Sequence, residues 1–338
     1  MLSRRIALGL ACVVLGGSST ALADYWTTLQ PMPTTANNAS GAVVNGNIYV
    51  MGGYNSGGRL TSVEAYSPGL NNWSAAASLP AVRTEGMAVG IGNNAYYMGG
   101  WNYSLPNSNL FVYNATANGW TSGPSLPALA GDGVAGVIGG NVFVTGPENG
   151  YSGLSSQFYE YNTTSQSWSS LAGAPNPRSC AAGGVINGLL YEAGGYNNSS
   201  MSSELDAYNP TTNSWTTLAP MPTAVGYAAA GVIDGELYVA GGLGAPAPGT
   251  QQDIVQVYNP TTNSWSTDVP MPLAVANAAY AVIGNTLYLF GGNDDSADDA
   301  TTEVEALTVG AVPEPATFGL LAVGAAGLLM RRSRRRMA

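Results

Sequence analysis

Gly241-Gly242, followed by Tyr258-Asn259-Pro260-Thr261-Thr262-Asn263-Ser264-Trp265, is the stretch whose reading decides the fold. Its parts recur along the chain. Trp stands at Trp26, Trp73, Trp120, Trp168, Trp215 and Trp265, with spacings of 47, 47, 48, 47 and 50. Tyr precedes Trp by seven residues at Tyr66, Tyr113, Tyr161, Tyr208 and Tyr258. Gly pairs lie at Gly52-Gly53, Gly99-Gly100, Gly194-Gly195, Gly241-Gly242 and Gly291-Gly292, and Gly146-Pro147 fills the remaining place in register. A repeat of this length marks a propeller, solenoid or array.

Each unit reads as four short strands. In the fifth, Ala228 to Ile233 is the first strand and Asp234-Gly235 is a two-residue turn, both residues tolerating positive φ. Glu236 to Ala240 is the second strand and Val255 to Tyr258 the third. Asn259 to Asn263 turn the chain, and Ser264 to Leu273 hold the fourth strand and its exit. The last unit has strands around Ala278–Val282, Thr286–Phe290 and Glu303–Val309, but no Trp after them. Trp26 has no strands before it to complete a blade. Tyr25–Leu29 is therefore expected to be the fourth strand of the last blade, which closes the ring and removes open edges. Leu307 takes the Tyr place there.

A Gly pair, then Tyr and Trp with six residues between them, resembles the kelch repeat over roughly residues 25 to 309. The resemblance implies an all-β fold, a six-bladed β-propeller of four-stranded blades around a channel. Length alone, at 338 residues, suggests about two domains; the repetition argues for one propeller over 24–310.

The two ends read as addresses. Residues 1–23 have Arg4-Arg5, an apolar stretch from Ile6 to Gly17, and Ala21-Leu22-Ala23 before Asp24, the three parts of a secretory signal. In 311–338, Val312-Pro313-Glu314-Pro315 precedes the apolar run Phe318 to Met330 and a basic tail. Thirteen residues rise only about 20 Å as a helix, short of a comfortable membrane span. One reading is a marginal tail anchor held by its arginines. The other rests on a resemblance to the PEP-CTERM sorting signal. It implies a bacterial envelope protein, an exosortase-type processing protease as partner, and transient membrane contact through the C-terminal segment.

Composition excludes several functions. Between Asp24 and Val312 three Arg face 19 of the 20 acidic residues, Glu314 alone lying outside, so the net charge is −16. Such a surface repels phosphates, and nucleic acid is not an expected partner. The chain has no Lys and no His, and Cys180 is the only thiol beyond the leader's Cys12. A Cys/His zinc site and an internal disulfide in the exported domain are excluded. No cofactor is expected, and the closed ring is expected to be a monomer.

Candidate binding residues come from stacking the units. One column in the interblade loops holds Ala36, Arg83, Ala130, Arg178, Val225 and Val275. Two positions later stand Asn38, Glu85, Asp132, Cys180, Tyr227 and Asn277, a polar or reactive set where the innermost strand begins. This set reads either as a binding mouth of the central channel or as ordinary wet lining. Arg83 and Arg178 are expected to stabilise turns. Glu192 replaces the Val, Tyr or Leu of other second strands; a carboxylate there must face channel water, pair with Arg178 or be protonated, and channel water or the pair is expected. The loops after the Gly pairs carry Tyr54, Trp101, Tyr103, Tyr151 and Tyr196 among Asn and Ser, a composition suited to stacking on neutral sugars. Asp294, Asp295, Asp298 and Asp299 form an acidic run that reads as a solvated loop or a weak Ca²⁺ candidate without the Gly of an EF-hand loop.

Three functions stay open: a non-catalytic binding or scaffold module for extracellular polysaccharide or protein, a sugar mutarotase, and a purely structural envelope protein. The mutarotase would use Glu85 or Glu192 with Arg83 or Arg178. Copper radical oxidases of the resembled family need His, and sialidases need clustered arginines and Asp boxes; this chain lacks both sets.

Overall fold

A computed structural model describes residues 23–103, 105–148, 153–245, 249–294 and 300–310. The readings on the leader up to Leu22 and on Val312-Pro313-Glu314-Pro315 lie outside these residues. Asp24–Val309 form a compact unit built from six four-stranded antiparallel sheets, with no helix among the described residues. The architecture is the expected six-bladed propeller. In the fifth blade Ala229–Ile233, Glu236–Ala240, Val255–Asn259 and Ser264–Thr267 run from channel to rim. The sixth blade joins Ala279–Ile283, Thr286–Phe290 and Val304–Thr308 to Tyr25–Thr28 from the other end of the propeller. Trp26 there lies opposite Leu307, the place that Tyr66, Tyr113, Tyr161, Tyr208 and Tyr258 occupy opposite their own Trp.

Six apolar clusters fill the six junctions between neighbouring blades. Within a blade, each Tyr–Trp pair meets at a tilt with centroids 4.9–5.3 Å apart. Such pairs add about 0.5–1.5 kcal/mol beyond the area they bury.

Polar stitches at the outer rim explain the spacing of the repeat. Each Trp indole N–H donates to a carbonyl just past the preceding blade's outermost strand, at 2.7–3.1 Å: Trp73 to Gln30, Trp120 to Ala77, Trp168 to Pro124, Trp215 to Ala172, Trp265 to Ala219 and Trp26 to Val269. Two residues before Trp, the side-chain oxygen of Asn71, Asn118, Asn213 or Asn263 accepts the N–H of that same stitched residue. It also accepts the hydroxyl of the blade's Tyr at 2.8–2.9 Å. Blade three has Gln166 in this place, and its stitched residue is Pro124, which has no N–H to satisfy.

The Gly pairs form a second set of ties. The second Gly donates its N–H to the next blade's interblade loop: Gly53 to Arg83, Gly100 to Ala130, Gly195 to Val225, Gly242 to Val275 and Gly292 to Ala36. A Cβ on the first Gly would stand 2.2–2.4 Å from that same carbonyl oxygen, and both glycines of a pair have positive φ. Gly146-Pro147 cannot repeat this, since proline holds φ near −65°. The strands instead run on, as Asn141–Glu148 and Leu154–Asn162, across a register shift between Gly146 and Glu148.

The Glu192 expectation is corrected in the fourth blade. Glu192 is buried, not in channel water, and its carboxylate is not Arg178's ion-pair partner. The Arg178 guanidinium bonds Asp206 at 2.7 Å, Glu204 at 3.2 Å and the Glu192 backbone carbonyl at 2.8 Å. Glu192 Oε2 is buried without a donor. Burial pushes its carboxyl up to about 7; Arg178 pulls it down and Asp206, its cross-strand partner, pushes it up.

Two outcomes follow for stability. Glu192 holds its proton to a higher pH folded than unfolded, where it titrates near 4.5. Its contribution is complete below about pH 4.5 and is lost as pH rises through about 7. Urea titrations of Glu192→Gln are expected to lack that decline and to exceed wild type at pH 8 by roughly 1–3 kcal/mol. At the ring closure, Trp26→Ala is expected to cost on the order of 2–3 kcal/mol, while Leu70→Ala, at a side chain 74% exposed, changes little.

Candidate functional site: the channel mouth

The polar column occupies one mouth of the channel. Asn38, Glu85, Asp132, Cys180, Tyr227 and Asn277 all lie in the left-handed region, with φ between 52° and 60°. Residues with a Cβ avoid this region at a cost of roughly 1–2 kcal/mol each, less for Asn and Asp. The reason they adopt it is a closed ring of backbone hydrogen bonds. Glu85 N–H donates to Asn38 C=O, Asp132 to Glu85, Cys180 to Asp132, Tyr227 to Cys180, Asn277 to Tyr227, and Asn38 back to Asn277, at 2.8–3.0 Å. Each blade supplies one residue.

The ring surrounds a cavity of about 110 Å³ that its six residues line together with Ala39, Gly86, Gly133, Ala181, Ala228, Ala278 and Tyr280. No basic side chain is in that lining. Asp132 accepts the Trp101 indole N–H at 3.0 Å and the Cys180 thiol at 3.3 Å. Thr84 donates to Glu85 at 3.4 Å, and Asn277 Nδ2 to Asn293 at 3.3 Å. Asn277 Oδ1 is buried without a donor. The backbone donors are spent around the ring and several side-chain donors on neighbouring protein atoms, so the mouth is rich in acceptors. Burial pushes the Cys180 thiol well up, with Asp132 adding to the effect, and burial likewise raises the Tyr227 phenol. Both are neutral at pH 7, and a reactive thiolate is not available there.

Arg83 and Arg178 do not line the cavity. Arg83 donates to the Val82 carbonyl and to Asn109 Oδ1, both at 2.7 Å, with its guanidinium 5.6 Å from the Phe111 centroid. Both arginines are buried and brace interblade loops. The Glu/Arg pair of a ring-opening enzyme is therefore not brought together at this mouth.

On the loops after the Gly pairs, Tyr54 and Tyr103 are exposed, at 43% and 73%. Trp101 and Tyr196 are half-buried and bridge to neighbouring loop segments. Trp101 thus positions Asp132 more than it offers a face. Tyr151, Asp295, Asp298 and Asp299 lie outside the described residues. Asp294 is described, and its backbone carbonyl accepts a long 3.5 Å bond from Gln251. No group of three or more acidic or thiol side chains among the described residues is arranged to hold a metal ion.

Two residues of this end were missed by sequence reading. Arg59 pairs across a short hairpin with Tyr54 and sets its guanidinium 5.9 Å from the Tyr103 centroid, joining the loops of blades one and two. Tyr280 borders the mouth, the chamber beneath it and the far end of the channel. Its equivalents in the first strands are Gly41, Ala88, Ala135, Gly183 and Ala230, so one bulky side chain stands among five small ones. Aligning that column would have found it.

Comparison with known proteins agrees with the fold. The chain matches the KLHDC2/KLHL20/DRC7 Kelch-repeats domain over residues 86–292 and the Kelch motif over 36–80. Residues 311–336 match the PEP-CTERM protein-sorting motif, which indicates export to the envelope and implies processing by an exosortase. No helix among the described residues is long and apolar enough to cross a membrane. No curated protein matches. Among solved structures the chain is similar to one titled "Structure of YjhT", at 18% identity and a TM-score of 0.73, covering 82% of this chain and 95% of that one. With the repeat, the ring and these matches in agreement, the chain belongs to the kelch-repeat family and carries a PEP-CTERM sorting motif.

Proposed function

We propose that this protein is a non-catalytic binding module of the bacterial envelope that engages extracellular polysaccharide at the channel mouth. The observation that carries the reading is the ring of six left-handed residues, which turns polar side chains into one small cavity. A cavity of about 110 Å³ admits a substituent, not a whole sugar ring. The ring of a sugar would rest outside, on Tyr54 and Tyr103, whose apolar faces are exposed beside the Arg59 guanidinium. A donor-rich substituent such as a hydroxyl or an amine then meets Glu85, Asp132 and Asn277 in the acceptor-rich mouth. The strongly acidic propeller favours neutral or amine-bearing glycans over uronates or phosphorylated ones.

The test is calorimetric titration of the exported chain with neutral oligosaccharides, their amino-sugar counterparts and uronate oligomers, at low and high salt. Neutral or amino oligosaccharides are expected to bind. Tyr103→Ala is expected to weaken binding at least tenfold, about 1.4 kcal/mol. Glu85→Gln is expected to remove the salt dependence of any amino-sugar preference. If no glycan binds a chain shown to be folded, the reading falls and a purely structural role takes its place.

A further inference from the structure

Two of the fold's regularities lapse together at the junction between blades three and four. At the five other junctions the second Gly of a pair donates its N–H to the next interblade loop. Here the donor that would meet the Arg178 carbonyl falls on Pro147, which has no N–H. The junction keeps its rim stitch, Trp215 to the Ala172 carbonyl. It also keeps its link in the mouth, where Cys180 N–H donates to the Asp132 carbonyl at 2.8 Å and the Cys180 thiol to Asp132 Oδ1 at 3.3 Å.

The missing clasp coincides with a buried acid. Glu192 shares its face of the strand Leu189–Ala193 with Leu190, which packs in the apolar cluster of this junction with Val134, Phe143 and Phe158 of blade three. Other blades place Val50, Tyr97, Val144, Val239 or Leu289 at this register. The blade-three members of the cluster carry no charge. From blade four come Asp206 across the strand pair, Arg178 in the loop, Glu204 beyond it, and Tyr208, whose hydroxyl is spent on Asn213. Arg178 is the only cation there, since the chain has no Lys or His and Arg59 and Arg83 belong to the loops of blades one and two. Asp206 and Glu204 both hold it through Nη1. Two atoms of the cluster are left over: Glu192 Oε2 is buried without a donor, and Arg178 Nε without an acceptor. A protonated Glu192 is a neutral neighbour of the Arg178–Asp206 pair. An ionised one repels Asp206 and competes with it for the guanidinium.

We propose that loss of the Glu192 proton opens the seam between blades three and four, the ionised carboxylate drawing on Arg178 while the loop that Arg178 anchors releases Asp132 at Cys180. The proton passes to solvent and no covalent bond changes. Arg178 stands two residues before Cys180, so a shift of its guanidinium is felt at once in the mouth. At a clasped junction a Gly N–H would still hold the loop; at this one it does not. Burial and Asp206 push the Glu192 carboxyl up from 4.5 to about 7, against the pull of Arg178. Solvated in the open seam, Glu192 returns to its ordinary value. Opening therefore grows as pH rises between these two values and levels off above them. Asp132 and Cys180 both line the mouth cavity, so the seam parts its wall on that side.

The chain carries its own reporter, because Cys180 is the only thiol beyond Cys12 of the leader. Exported protein is treated with dithiodipyridine, an aromatic disulfide that labels thiols in acid as well as in base, and the labelled residue is confirmed as Cys180 by peptide mass. The rate is divided by that of Glu192→Gln at the same pH, so that the thiol's own ionisation cancels. This ratio is expected to rise at least about tenfold between roughly pH 5 and pH 7 and then to level. Amide exchange read by mass spectrometry is expected to quicken over the same range in Ala135–Ile138 and Ala182–Ile186, the first strands of blades three and four, and not in blades one, five and six. Glu192→Leu, which carries the blade-six residue, supplies the same comparison should the Gln variant not fold. A ratio that stays flat with pH, or exchange that quickens evenly around the ring, would overturn the proposal. Neither measurement contains a glycan, so both outcomes are independent of what the mouth binds.

Discussion

Everything in this propeller depends on closing a circle of sheets whose ends come from opposite ends of the domain. A propeller has no helix or covering layer to hide an open blade. An incomplete blade would leave its edge carbonyls and amides for another chain to pair with. The molecule meets this constraint at three radii with three different donors. Backbone N–H groups link the inner ring around the channel, Gly N–H groups link the strand ends, and Trp indole N–H groups link the rim. All three sets tie a blade to its neighbour. The six apolar clusters fill the space that these ties define.

The three tie systems constrain sequence differently, and that decides how much was legible. The rim stitch needs an indole donor, and the Gly clasp forbids a Cβ beside a carbonyl oxygen, so both appear as identical letters at fixed spacing. The blade count and the Tyr25–Thr28 closure follow from those letters. The inner ring asks only for an N–H and a left-handed φ. Asn, Asp, Glu, Cys and Tyr all satisfy it here, so its positions share a backbone state and no residue type. A polar column was visible; the hydrogen-bonded circle behind it was not. The Asn of the rim is informative for the opposite reason, because where blade three has Gln166 instead, the stitched residue is a proline that has no N–H to cap.

Charged side chains were the least legible, because their partners come from strands distant in sequence. Glu192 was assigned to water or to Arg178 on the strength of its register alone. The folded chain gives Arg178 to Asp206, the residue facing Glu192 across the strand pair, and leaves the buried Glu192 carboxyl between the two without an ion pair of its own. Asp206 stands in a third strand, Leu205–Asn209, at the register that Glu64, Gln256 and Glu305 hold in other blades, and only the fold shows which of these side chains meets an arginine. Arg59 was hidden similarly, since only the fold brings its hairpin against the Tyr103 loop.

The inner ring also bears on where function sits. Glycine would fill its left-handed positions without strain, and elsewhere this chain uses glycine freely for that purpose. At none of the six mouth positions does it do so. Glu85, Cys180 and Tyr227 in particular hold the conformation against their own preference, since neither a long carboxylate side chain, a thiol nor a phenol favours it. Strain retained where a cheaper residue is available points to the side chain as the reason, and these side chains line the cavity while bonding one another and the adjacent loops. The rim and the clasp are built from what closure requires; the mouth is built from residues that closure would not select.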